Sequence, residues 1–329
     1  MSAIAPTLQG FFTERLIQQR QVSTHTIAAY RDTLRLLLTF ASERTGIVPS
    51  RLDLAQFDAP LIVSFLDHLE RERDNGVRTR NARLAAIHSL FRYAALHHPE
   101  HAASVQRVLA IPPKRFDRAL VTYLTDDEVD ALLAAPDLRT WTGRRDRALF
   151  LLAVQTGLRI SELTGLTCND VHFGTGAHVS CHGKGRKDRI TPLTAVTITV
   201  LRGWITEHAG EPTAPLFPTR RGRMLSRDAI EHRISQYTAA AARDCPSLHN
   251  KKITAHVLRH TAAMRLLQAG VDTSVIALWL GHESVETTQI YLHADLAMKE
   301  RALARTKPST CRAGRFRPPD HILTWLEAL

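Results

Sequence analysis

The sequence predicts a mainly α-helical chain of two domains, with one small β-hairpin or sheet in the second. Three observations predict this. Residues 1–107 carry helical periodicity and no strand pattern. A proline-broken basic stretch, VLAIPPKRFDRA, follows at 108–119. Beyond it helical patterns return and are interrupted once, between Val171 and Leu193, by strand-like alternation around a glycine-flanked turn.

Four helices are expected in the first domain. APTLQGFFTERLIQQR is one. The second is STHTIAAYRDTLRLLLTFASERTG, with Ser23 or Thr24 as N-cap and Ile27, Tyr30, Leu34, Leu37 and Leu38 on one face. DAPLIVSFLDHLERER is the third. VRTRNARLAAIHSLFRYAALHH is the fourth, with Leu84, Ile87, Leu90 and Phe91 apolar. Short connections between amphipathic helices make a small bundle. Pro112-Pro113 ends it, and residues 108–119 read as a linker. The second domain, 120–300, opens at YLTDDEVDALLAAP, where Thr125 and Glu128 have capping-box spacing. RRDRALFLLAVQTGLRISELTGL is a long apolar helix, a break at Gly157 and a new helix start. Gly183 and Gly185 mark the hairpin turn. Helices then continue past Tyr291. A tail, 301–329, ends in PPDHILTWLEAL, with Asp320 as N-cap and Ile322, Leu323, Leu326 and Leu329 on one face. So short a helix does not stand alone. It is expected to dock on its own domain or on a neighbour.

Composition narrows the function. An excess of 11 positive charges among 329 residues, with a pI of about 10.0, serves no packing purpose and points to nucleic acid. Cys168, Cys181, Cys245 and Cys311 are scattered without a CxxC pair, which speaks against a zinc framework and fits a reducing compartment. No apolar run spans a membrane, and MSAIAPTLQGFF lacks the pattern of a signal peptide. A bacterial-type cytoplasmic protein is expected.

Five pieces stand in one order: TGLRISEL with Arg159, HGKGRKDR with Lys184, HVLRH with His256 and Arg259, LGH with His282, and then Tyr291. Each has a plain structural reading by itself. Arg159 and Glu162 can form an intrahelical ion pair. Lys184 can be a solvated turn lysine. His256 and His260 have the i,i+4 spacing of metal ligands, but no carboxylate or cysteine nearby completes a set. His260 alone reads as a core or supporting residue, and Tyr291 as a packed one. The ordered set outweighs these separate readings, because it resembles the tyrosine recombinases, the phage-integrase and Xer-type family. The resemblance covers nearly all of the second domain. The first looks like that family's helical, SAM-like core-binding domain, so that the two close on DNA as a clamp.

The chemistry explains the residue types. A DNA phosphodiester is an anion that resists nucleophiles, and reversible cleavage without ATP needs a protein nucleophile that keeps the bond energy. A tyrosine oxygen does so as a phosphotyrosine. The forked donors of Arg159 and Arg259 can hold the non-bridging oxygens. Lys184 can protonate the leaving 5′-oxygen. Lys187 is its rival, and the family pattern assigns Lys187 to a backbone phosphate instead. His256 can exchange a proton with the tyrosine, and His282 can donate to the phosphate. Glu162 resembles the family's supporting acid and could orient an arginine or His256. The resemblance implies these roles, no metal or nucleotide cofactor, a DNA site with inverted repeats, and a tetramer on two duplexes, with or without sibling recombinases. A type IB topoisomerase shares the chemistry without synapsis, and a Xer-type dimer resolvase shares all of it. The 38 residues after Tyr291 exceed those of minimal Xer-type chains and point toward a mobile element.

DNA contacts are expected at two places. Arg78, Arg80 and Arg83 line the start of the fourth helix, where they could meet a groove or a phosphate. Arg220, Arg221, Arg223 and Arg227, in TRRGRMLSRD, form the densest basic patch of the second domain.

Overall fold

The computed structural model describes residues 3–116, 121–182, 188–208, 211–282, 287–288 and 290–291. The chain divides into two compact units, Met1–Ala119 and Leu120–Leu329. Both are helical, with a three-stranded sheet in the second.

In the first unit, α1 (Ile4–Gly10) runs directly into a π-helical stretch, Phe11–Gln19. Gly10 lies against Tyr93, where an added Cβ would collide with the phenol oxygen. Next is α2 (Thr24–Thr45), capped by the Ser23 hydroxyl, which accepts from the Thr26 N–H, and closed by Gly46 in the left-handed region. Asp58 caps α3 (Ala59–Arg71), followed by α4 (Val77–His97). Leu34, Leu37, Phe65, Leu66, Leu84, Ile87, Leu90 and Phe91 meet in one core. A fifth helix, α5 (Ala102–Leu109), was not among the four expected. It starts behind a turn opened by Pro99 and offers only Val105 and Val108 as buried anchors, too few for a readable period. It also runs two residues into the stretch read as linker. Val108 and Ile111 belong to this unit's core, and Lys114 is tied down by Glu70 at 2.6 Å and by Asn81.

The second unit opens with α6 (Asp126–Ala134), whose Thr125/Glu128 capping box forms in full. Next come α7 (Trp141–Thr156) and α8 (Ile160–Gly165), then the antiparallel strands β1 (Val171–His172), β2 (His178–His182) and β3 (Asp188–Pro192). The register pairs Cys181 with Arg189 and His182 with Asp188. Helices α9 (Ala195–His208), α10 (Arg227–Ala241), α11 (Ala255–Gln268) and α12 (Thr273–Leu280) complete it. Nine of the 14 residues of α11 are buried, because this helix is packed on several sides. Among the described residues no helix is long and apolar enough to cross a membrane. The apolar stripe expected at 320–329 lies outside the described residues.

A buried ion pair shapes one surface feature. The Arg145 guanidinium donates twice to Asp146 Oδ1, at 2.8 and 2.7 Å, and once to the carbonyl of Pro218, at 2.8 Å. Tyr237 and Arg233 share the other Asp146 oxygen. Pro218 bridges Met224, and Gly222 takes a left-handed φ of 75° between them. The buried pair thus anchors the base of the turn that carries Arg220, Arg221 and Arg223.

Candidate active site

The site is assembled at two helix ends. Gly157 closes α7 with φ 63°, a conformation that costs other residues dearly. An added Cβ would lie 2.6 Å from Leu280 Cδ2 and 3.1 Å from Ala262 Cβ. Gly281 closes α12 in the same way, with φ 64°. These two turns bring the α12 C-terminus beside the start of α8.

The last carbonyls of a helix lack partners within it and carry partial negative charge. At α12 three guanidiniums answer them. Arg159, at the N-cap of α8, donates to Gly281 O at 2.7 Å. Arg259, from α11, donates to Leu280 O at 2.8 Å and to Gly157 O at 2.7 Å. Arg189, from β3, donates to Leu280 O at 2.8 Å. Glu162 sits among them. Its carboxylate accepts from Arg159 Nη1 at 2.9 Å, from Arg189 at 3.1 and 2.8 Å, and from the Arg159 backbone N–H at 2.6 Å. Glu162 therefore orients two arginines and makes no described hydrogen bond to His256. Three guanidiniums against one carboxylate leave a surplus of positive charge suited to an anion. Arg259 is buried, at 4% exposure, whereas the Arg159 side chain keeps 32%. Burial and the neighbouring Arg159 and Arg189 push the Arg259 guanidinium down to about 10, so it stays charged at neutral pH.

Around this cluster stand three histidines. His282 follows Gly281, and its Nδ1 meets Thr288 Oγ1 at 2.8 Å. Burial, then Arg259, Arg159 and Arg189, hold its pKa down to about 4, so the ring is neutral and Nε2 is left for other partners. His256, in the first turn of α11, is solvent-exposed. Partial desolvation and the two guanidiniums, Arg259 and Arg159, lower its pKa. His260, one turn on, packs its ring 4.2 Å from that of His256. Its Nδ1 lies 3.0 Å from the hydroxyl of Tyr291. Tyr291 is 1% exposed, and burial pushes its phenol up to about 12 against the pull of Arg259.

The structure thus brings Arg159, Glu162, Arg259, His256, His282 and Tyr291 into one neighbourhood and adds Arg189 and His260. Arg189 is the last residue of HGKGRKDR, and nothing in that string marks it. Its partners lie 27 and 91 positions away, so only the fold reveals them. Lys184 and Lys187 lie outside the described residues. Among the described residues no group of three or more metal-ligating side chains converges.

The arginines expected to meet DNA separate. Arg78 is exposed, its guanidinium over the Phe116 ring. Arg80 is 4% exposed and faces Glu70 and Asn81, so it is an interior residue of the first unit, contrary to the sequence reading. The helical period explains this: Arg80 lies on the face that carries Leu84 and Ile87. Arg83 turns partly inward toward Thr33. Arg220, Arg221, Arg223 and Arg227 are all exposed.

Gly157→Ala should destabilise the second unit by about 2 kcal/mol, from left-handed strain and the clash with Leu280. Chemical denaturation checks this, and an unchanged midpoint would refute it.

Comparisons with known proteins point the same way. Residues 122–298 match the model of the phage integrase family, and residues 10–98 match the phage integrase N-terminal SAM-like domain. Over 328 residues, 100% of this chain and 99% of the relative, the sequence is 58% identical to y4rC of Sinorhizobium fredii, whose name describes an integrase/recombinase. It is 30% identical to tyrosine recombinase XerD of Pseudomonas putida, over 94% of this chain and 99% of that protein. The fold is similar to that of the XerH site-specific recombinase bound to palindromic difH substrate, with a TM-score of 0.67 and 24% identity over 87% of this chain and 81% of that one.

Proposed function

Because the chain belongs to the phage integrase family and is a tyrosine-type site-specific DNA recombinase, we propose that it cuts and rejoins duplex DNA one strand at a time through a 3′-phosphotyrosyl link to Tyr291. The observation that carries this reading is the arginine cluster at the end of α12, with the tyrosine hydroxyl held beside it.

The reaction exchanges one phosphodiester for another. The Tyr291 oxygen bonds to phosphorus, the bond to the 5′-oxygen breaks, and that oxygen leaves with a proton. The 5′-hydroxyl of a partner strand then attacks and releases the tyrosine. Ester replaces ester, so no ATP is needed. Arg159 and Arg259 hold the non-bridging oxygens, where charge builds in the transition state. Glu162, itself held by Arg189, keeps Arg159 in place, and the carbonyls of Gly157 and Leu280 keep Arg259 in place. His282, neutral and anchored through Nδ1, donates from Nε2 to the phosphate. Lys184 supplies the proton to the 5′-oxygen, and Lys187 contacts a backbone phosphate. The exposed turn with Arg220, Arg221 and Arg223, and Arg78 on α4, bind DNA phosphates. Arg80 is not part of that surface. The substrate is a duplex site with inverted repeats, and the working form is a tetramer of this chain on two such duplexes.

The test is a pair of assays on the full chain. A plasmid carrying two copies of the candidate site should be deleted or inverted between them, and covalent protein–DNA complexes should accumulate on a nicked substrate. Relaxation of supercoils without exchange between sites would instead indicate a topoisomerase. No adduct at all would overturn the reading.

A further inference from the structure

We propose that Arg189 is a positioning residue for cleavage: it occupies the Glu162 carboxylate and so leaves donors of Arg159 for the DNA phosphate. The inference rests on Arg159 being one of the arginines that hold that phosphate.

The hydrogen bonds around Glu162 carry it. An ionised carboxylate has room for about four donors. Arg189 fills two of these places, with Nη1 on Oε1 at 3.1 Å and Nη2 on Oε2 at 2.8 Å. Arg159 fills the others, with Nη1 on Oε1 at 2.9 Å and its backbone N–H on Oε2 at 2.6 Å. Arg189 thus has the two-pronged grip that suits an arginine and a carboxylate. Arg159 has a single side-chain bond to the same group, and its Nη2 donates to Gly281 O. Exposure divides the two arginines in the same way. The Arg189 side chain is 10% exposed and that of Arg159 32%. The first is committed inside the protein, and the second stays open to a ligand.

Arg189 is also fixed at the end of α12. Its Nη1 donates to Leu280 O at 2.8 Å, a carbonyl that Arg259 shares. At Gly281 an added Cβ would stand 2.5 Å from that same nitrogen, so the guanidinium packs directly against the turn that leads to His282. One side chain on β3 therefore touches the supports of Arg159, Arg259 and His282.

Charge decides what its removal does. The Glu162 side chain is 4% exposed. A buried carboxylate stripped of two donors is costly and takes whatever donors lie within reach. Those at hand are the remaining N–H groups of Arg159, already bonded to it. Without Arg189 the carboxylate draws Arg159 into a two-pronged pair of its own and turns it from the phosphate.

The experiment measures single-turnover adduct formation on a nicked substrate for full-length Arg189→Met and for the double variant E162Q/R189M. Mobility shift reports DNA affinity and circular dichroism reports folding. R189M should lose about 10²-fold in rate while its affinity stays within about threefold, because one arginine is misaligned and the exposed phosphate contacts are untouched. The double variant should be about tenfold faster than R189M, since a neutral amide no longer pulls Arg159 inward. A purely structural tie between β3 and α12 predicts the opposite, a double variant as slow as R189M or slower, and that result overturns the inference. So does an R189M that stays within about threefold of the unaltered rate. Should R189M fail to fold, Arg189→Gln carries the same comparison. Arg159→Ala is the control for the underlying reading. At a normal rate it refutes that reading, whereas a slow R159A beside a normal R189M refutes this inference alone.

Discussion

Tyr291→Phe should bind its DNA site normally and form no covalent adduct. The phenol ring is fully buried within a cluster of Ala263, Met264, Leu267, Ile276 and Leu280. Phenylalanine fills the same volume, so the packing survives. What disappears is the hydroxyl and its hydrogen bond to His260. The net value of such a bond is about 1 kcal/mol, and the imidazole left behind lies beside the polar site. The variant should therefore fold and bind. Without an oxygen at that position no phosphotyrosine can form, so the effect on cleavage is total rather than graded. A nicked substrate run on a denaturing gel checks the adduct, and a mobility shift checks binding. An adduct still trapped by this variant, carried by some other side chain, would remove Tyr291 from the mechanism.

Arg259→Lys should keep most of the DNA affinity and lose about 10²–10³-fold in the rate of cleavage, the usual cost of removing one fixed donor from a site where charge develops. The fork of Arg259 spans two carbonyls, Gly157 O and Leu280 O, from two different helix ends. An ammonium is a point donor on a flexible stem and cannot bridge both while also facing the phosphate. Charge is conserved and geometry is lost. Salt-dependent binding should change little, because most of it comes from exposed arginines elsewhere. Single-turnover cleavage against a binding isotherm separates the two effects. Equal losses in both would make Arg259 a binding residue and not a stabiliser of the transition state.

Much of this protein is legible from local rules. Ser23, Asp58, Thr125 and Ser226 cap helices because their side chains reach the free N–H groups of the first turn, a contact within three residues. Gly157 and Gly281 mark helix ends because a left-handed C-cap favours glycine. The alternation from Val171 to Leu193 marked strands in an otherwise helical unit, and Arg159, Arg259, His256, His282 and Tyr291 stood out through order and spacing. Helix α5 did not, since two buried valines set no period.

What the sequence determined by itself is the inventory: most helix caps and breaks, an anion-seeking charge balance, and an ordered set of arginines, histidines and a tyrosine. What only the tertiary structure decided is which of them touch. The pairing of Arg80 with Glu70, from α4 to α3, follows from the packing of α4 on its neighbours. The contacts of Arg189 with Glu162 and of His260 with Tyr291 join residues 27 and 31 positions apart. Capping and turn signals act over three or four residues and are written in the local string. Hydrogen bonds between distant elements depend on how helices cross, and that is set by the fit of whole apolar faces, α11 against α7 and α12 against α11, which no short motif encodes.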